Sequence, residues 1–258
     1  MQDSSAVLSL SPSTPAPAAE LTQRLVLPRW AALTQVLLIC GLPTQLFVAV
    51  LLFLGGVQPF NGPTISLEFF AMLSLIDTAL VALLIRVFLT LSGETSRDVF
   101  IGVRPVGREI VRGLLLLPVA FGAVIAVIYG LGLVFPSLDN VRTSPVEAFM
   151  RTPFEAAIFM VVVVLAGGVR EELQRAFILH RFEQRLYGQY LGLATFGLLF
   201  GALHYDQGFD VAIAIGLLGV LWGLLYIRRR SAVASMVNHA SFNAAQVAQH
   251  VIAKTFGL

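Results

Sequence analysis

Apolar residues fall in seven runs separated by short polar connections, at 30–54, 65–91, 113–135, 154–168, 189–204, 209–227 and 232–252. Most of these runs approach the ~20 residues that a membrane-spanning helix needs. The fifth is short. The seventh is only moderately apolar and carries Asn238, His239, Asn243, Gln246 and His250. Polar spans of that kind persist where a helix faces a protein interior or a wet cavity. The fourth run does not stop cleanly. It passes through Gly167-Gly168 into a charged helical extension that holds Arg170, Glu171, Glu172 and Arg175. The pattern predicts an all-α, polytopic integral membrane protein of about seven transmembrane helices, with a polar cluster among them.

Composition agrees. Hydrophobic residues make up 57% of the chain and charged residues only 12%, with a mean hydropathy of +0.84, against roughly 25% charged residues in a soluble domain. The single cysteine, Cys40, lies in the first apolar run and excludes an internal disulfide and a cysteine metal site. The net charge of +2 is too small to argue for a nucleic-acid partner. Its distribution says more. Arg24, Arg29, Arg97, Arg104, Arg108, Arg112, Arg170, Arg175, Arg181, Arg185 and Arg228 to Arg230 fall on one side of the predicted topology. Only Arg142, Arg151 and Lys254 fall on the other. The basic side is the cytoplasmic one, so the N-terminus is expected in the cytoplasm, in a cell (plasma) membrane. Residues 1–29 read as a disordered tail, rich in Ser, Pro and Ala, with a short interfacial approach. Residues 30–258 form the membrane domain, and the connection 92–113 mixes apolar side chains with arginines in a way that suits a membrane surface.

Three polar pairs recur on three apolar segments. At about 100° per residue, Glu171 and Arg175 share a helix face, with Glu172 on its flank. Phe200 and His204 are four apart, and so are His239 and Asn243. If segments four and five form an antiparallel hairpin with Glu171 and His204 at one depth, the turn falls between Tyr187 and Gly188. The polar run His180, Arg181, Glu183, Gln184 and Arg185 then protrudes from the membrane. An ionisable residue inside a membrane is expensive and marks a functional site by default. A carboxylate held away from bulk water is a usable general base, and a histidine beside it can share the proton or orient a water. A second histidine and an asparagine amide can stabilise an oxyanion. Equally, Glu171, His204 and His239 are a zinc-type ligand set, so a divalent metal such as Zn is open as a cofactor.

These residues resemble the CPBP family of intramembrane proteases, which includes the type II CAAX prenyl proteases and the Abi proteins. The family's motifs are written EExxxR, FxxxH and HxxxN. Here they read Glu171-Glu172-Leu173-Gln174-Arg175, Phe200…His204 and His239…Asn243. The arginine stands one position early, and Arg170 is the other candidate for its role. The resemblance covers roughly residues 150–250. It implies an intramembrane, metallo-type endopeptidase acting on a membrane-associated or prenylated peptide or protein. It further implies that Glu171 and His204 activate water, that His239 and Asn243 line the oxyanion site, and that Glu172 and Arg175 support them.

Taken singly, these residues have plainer readings: a snorkelling helix end for the charges, interhelical hydrogen bonding for His204, His239 and Asn243. A non-catalytic membrane regulator or bacteriocin-immunity-type protein using the cluster for binding is the alternative function. Other intramembrane chemistries lack their residues: there is no His-Glu-x-x-His and no Gly-x-Ser-Gly. Asp206 and Asp210 lie on one connection rather than on two helices. Asp77, near the middle of segment two, requires a partner, and Arg86 does not share its turn. A place beside the active site is the expectation for it.

Overall fold

A computed structural model of the chain describes residues 27–141 and 144–257. The tail, apart from its last residues, and Arg142 of the charge count lie outside that range. Ten helices account for most of what is described: α1 (Arg29–Ile39), α2 (Leu42–Leu54), α3 (Leu67–Leu91), α4 (Val106–Leu115), α5 (Leu117–Val134), α6 (Pro153–Val162), α7 (Glu171–Arg185), α8 (Gln189–Ala202), α9 (Phe209–Arg229) and α10 (Val233–Phe256). The one exception to the all-helical expectation is a two-residue hairpin, Phe60–Asn61 with Thr64–Ile65, ahead of α3.

The seven apolar runs all become helix, but not seven spans. Among the described residues four helical stretches are long and apolar enough to cross a membrane: Leu67–Leu91, Val106–Val134, Pro153–Arg185 and Phe209–Arg229. The first run supplies a fifth only if α1 and α2, which meet at 47°, count as one broken span. The bend has a cause: Gly41 sits at φ +100°, and Pro43 follows inside the first turn of α2. The carbonyl freed at the end of α1 is taken up from outside, by Gln174 Nε2 donating to Ile39 O at 2.7 Å. The fifth run yields a helix of only 14 residues, α8. The seventh yields α10, 24 residues long but interrupted by polar side chains. The chain is an integral membrane protein of four to five apolar spans by these criteria.

The longest stretch, Pro153–Arg185, is continuous over 33 residues. At 1.5 Å per residue it is about 50 Å long, well beyond a ~30 Å hydrocarbon layer, so one end projects. Its first turn is closed by a capping box between Thr152 and Glu155. Its middle, Val163–Arg170, winds as a π-helix, a local widening often found at functional sites. The Gly167-Gly168 pair does not break the helix. It lets α10 approach closely: a Cβ on Gly168 would stand 2.4 Å from Ala240 Cβ, and one on Gly167 2.5 Å from Asn243 Nδ2. Small residues at such a crossing are the usual device where lipid supplies no hydrophobic drive between helices. Gly168→Val is therefore expected to destabilise the protein by about 1–3 kcal/mol, read as a lower thermal midpoint in detergent. Gly122→Ala, with open space around its Cβ position, is the control that leaves the midpoint unchanged.

The turn expected between segments four and five forms where the depth argument places it. α7 ends at Arg185, Tyr187 and Gly188 both take positive φ (68° and 96°), and α8 starts at Gln189. One residue of the polar run differs from expectation. Arg181 is fully buried rather than projecting into solvent. It donates from Nε to Gln35 at 2.7 Å and from Nη1 to Glu94 and Gln184. His180 Nε2 meets the other oxygen of Glu94 at 2.5 Å. Burial works to raise the Glu94 carboxyl. The hydrogen bonds from His180, Arg181 and Gln184, with the Arg181 charge, outweigh it and hold the group at about 2, below its ordinary 4.5. A depressed carboxyl contributes stability that is present above about pH 4.5 and lost as pH falls toward 2. Across that window the thermal midpoint of the wild type is expected to fall more steeply than that of Glu94→Gln. Parallel curves would remove this role.

Candidate active site

The charged end of the π-helical segment and the first turn of α7 carry Arg170, Glu171, Glu172 and Arg175 into the interior. The two glutamates occupy different environments. The Glu172 side chain is 1% exposed and that of Glu171 18%. Glu172 is the structural one of the pair by its contacts: it forms an ion pair with Arg175 one turn on and a hydrogen bond with His239 Nδ1 at 3.0 Å. Arg175 therefore pairs with Glu172 at i,i+3 and not with Glu171, whose face it shares. The guanidinium is also enclosed by aromatic rings, at 4.9 Å from the centroid of Phe200, 5.2 Å from Phe196 and 5.5 Å from Trp222. Those rings face a buried cation with their negative π surfaces. A guanidinium matches both the carboxylate and the flat walls of this pocket.

α10 brings His239 to the same place. Its ring stacks on Trp222 at 3.7 Å between centroids, and its Nε2 stands 3.8 Å from Glu171 Oε2. Trp222 is itself fixed, donating from Nε1 to Asn238 Oδ1 at 2.7 Å, while Asn238 donates to Gly113 O at 2.8 Å. Because a carboxylate accepts only, the His239–Glu172 bond puts a proton on Nδ1. One turn further along α10, Asn243 Nδ2 donates to Val163 O at 3.2 Å. This anchors the amide to the start of the π-helical segment, over the space that Gly167 leaves open.

His204 lies just past the end of α8, in the exit turn rather than on the helix itself. It remains beside Phe200, with ring centroids 4.9 Å apart, and its Nδ1 is 2.7 Å from Phe200 O. A carbonyl cannot donate, so Nδ1 carries a proton and Nε2 is the ring nitrogen left for another partner. Phe200 also meets His239 edge-on at 6.2 Å. One aromatic ring thus touches both histidines. All six residues singled out from the sequence lie around this interior: Glu171, Glu172 and Arg175 on α7, His204 after α8, His239 and Asn243 on α10.

The zinc-type trio fares differently. Among the described residues no group of three or more His, Cys, Asp and Glu side chains is placed to hold a metal ion. Nδ1 of His239 is bound to Glu172 and Nδ1 of His204 to Phe200 O, so only Nε2 of each ring is left to ligate, and with Glu171 they do not close on one point. As placed, the three side chains do not form a metal site. Arg170, the second candidate for the family arginine, has another occupation. It pairs with Asp77 of α3 and reaches Glu171 Oε1 at 3.5 Å from Nη2. The partner that Asp77 requires therefore lies on the Pro153–Arg185 stretch and not on its own helix.

Sequence reasoning passed over Trp222, Phe196 and Asn238. A signal existed for the first. Tryptophan in a membrane protein concentrates at the two interfaces, and Trp222 stands well inside the sixth apolar run.

An all-helical membrane protein with a buried carboxylate, histidine and arginine cluster is the class that fold and site define. Residues 153–245 match the family model for type II CAAX prenyl endopeptidase, Rce1-like. The matched stretch contains all three motifs and supports the resemblance to CPBP proteases. No curated protein and no solved structure matches the chain.

Proposed function

We propose that this protein is an intramembrane endopeptidase that hydrolyses a peptide bond with a water activated by Glu171 and His204. The convergence of three motif pairs from α7, the α8 exit and α10 on one interior carries the reading. Glu171 is the glutamate with access to water, while Glu172 is spent on Arg175 and His239. His204, whose Nδ1 is bound to Phe200 O, has Nε2 as the ring nitrogen left for the same water. The water oxygen adds to the scissile carbonyl carbon as Glu171 takes its proton. The proton then passes to the amine nitrogen as the C–N bond breaks, leaving a carboxylic acid, which gives its remaining proton to the released amine. Asn243 and His239 stabilise the intermediate oxyanion. For His239 to donate from Nε2 it must be the imidazolium, since Nδ1–H is bound to Glu172. Glu172 and Arg175 hold the imidazole in place.

The substrate class that the family match suggests is a membrane-associated peptide carrying a prenylated cysteine. The arginine distribution supports a site that opens on the cytoplasmic side of a cell membrane. The test is cleavage of a library of prenylated and unprenylated peptides by protein reconstituted in liposomes, wild type beside His204→Ala. Release of product by the wild type, slowed by about 100-fold or more in the variant, is the expected result. Equal cleavage by both sinks the assignment. Peptide binding without cleavage favours the regulator reading instead.

A further inference from the structure

We propose that Asp77 is a positioning residue for Glu171, acting through Arg170, and that it keeps this arginine off the working face of the glutamate. The inference rests on Glu171 being the general base. Asp77 is fully buried in the middle of α3, and Arg170 is 7% exposed at the end of the π-helical segment that packs on that helix. A single guanidinium is shared between two carboxylates on different helices. Its Nη1 donates to Asp77 Oδ2, and its Nη2 stands 3.5 Å from Glu171 Oε1. The other oxygen, Glu171 Oε2, looks toward His239 Nε2 at 3.8 Å. Arg170 thus holds the glutamate loosely by one oxygen and leaves the second facing the space where water is activated.

The pairing with Asp77 is not the saturated one a structural bridge adopts. Arg170 Nε and Asp77 Oδ1 are both buried without a hydrogen-bond partner, whereas an arginine that only neutralises a carboxylate tends to close a bidentate fork on it. The guanidinium is pulled in two directions, and Asp77 wins the shorter contact. Without the Asp77 charge, the only carboxylate left in contact with Arg170 is Glu171. The arginine then closes on Glu171 with both nitrogens, occupies both its oxygens and removes the acceptor from the water. Substrate contacts are untouched, so the loss falls on turnover and not on binding.

Five proteins are compared in liposomes: wild type, Glu171→Gln, Asp77→Asn, Asp77→Glu, and the double variant Asp77→Asn with Arg170→Gln. For each, kcat, KM and the thermal midpoint are measured. Asp77→Asn is expected to lose at least about ten-fold in kcat at unchanged KM. Asp77→Glu, which keeps the charge, should lie within about three-fold of wild type. The double variant has no cation left to close on Glu171, and should regain turnover over Asp77→Asn while remaining below wild type. If Asp77→Asn does not accumulate, the double variant, which buries no unpaired charge, carries the test, and wild-type kcat in it overturns the proposal. So does a kcat for Asp77→Asn within about two-fold of wild type, even with a lowered midpoint, because Asp77 is then structural. Equal losses in all three Asp77 variants overturn it as well. Glu171→Gln separates the two levels: if it cuts like wild type, the base assignment itself falls, whatever Asp77 does.

Discussion

Glu171→Gln is expected to lower kcat by about 10³-fold, within the range a general base supplies, with KM nearly unchanged. The amide keeps the size and most of the shape of the carboxylate, so packing around α7 is preserved. It cannot accept a proton from water. The environment decides which glutamate matters here. Glu171 is partly open, contacts Arg170 by one oxygen at 3.5 Å and presents the other toward His239. Glu172→Gln should behave differently. Its oxygen can still accept from His239 Nδ1, but the Arg175 cation loses its counter-charge, so stability suffers before chemistry does. The measurement is single-turnover cleavage by both variants beside thermal unfolding. A folded Glu171→Gln protein that cuts within about ten-fold of wild type would remove Glu171 as the base. It would also restore the binding-protein reading as the better one, because a binding site tolerates a near-isosteric amide.

The motif residues were legible because chemistry and periodicity coincide at them. Glutamates following an apolar run, and histidines four residues from a Phe or an Asn, stand out against a chain with 12% charged residues. The turn at Tyr187-Gly188 was legible for a related reason: two residues at equal depth on neighbouring antiparallel helices fix the midpoint between them. What could not be read is what depends on which helix packs on which. Asp77 and Arg170 are 93 positions apart, and no spacing rule joins them. Arg181 looked like a solvated helix end, yet it is buried because Gln35 of α1 and Glu94 after α3 close over it. The first run looked like one span because no charged residue interrupts 30–54, whereas the bend rests on the φ of Gly41 with Pro43 just behind it. Nor does linear pattern reveal a π-helical turn. Glu171 and Glu172 follow such a turn, and it contributes to aiming Arg170 at α3 while Arg175 keeps company with Glu172.

Arg175→Ala is expected to be the most damaging single change outside the reacting groups. Glu172 and Arg175 are each 1% exposed. Removing one partner of a buried pair leaves the other charged or neutralised in a site built for an ion, at a cost of about 3–5 kcal/mol. The contacts with Phe196, Phe200 and Trp222 go at the same time. Since Trp222 also backs His239, the imidazole loses the rigidity of its support as well as the company of a well-placed Glu172. Arg175→Lys keeps the charge but not the planar fork, and should fall between the two. The informative partner is the double variant Glu172→Gln with Arg175→Met, which removes both charges while filling similar volume. Buried ion pairs are often replaceable in this way at little cost in stability, so its midpoint should return close to wild type. Its activity should not, because a neutral amide accepts more weakly from His239 Nδ1 than a carboxylate does and holds the imidazole less firmly. Thermal unfolding of the four proteins, followed by cleavage rates per folded molecule, checks both halves. An Arg175→Ala protein as stable as wild type would mean that the pair is exposed to water in the membrane. Full activity in the neutral double variant would mean that the Glu172 charge plays no part beyond holding the helix to its neighbours.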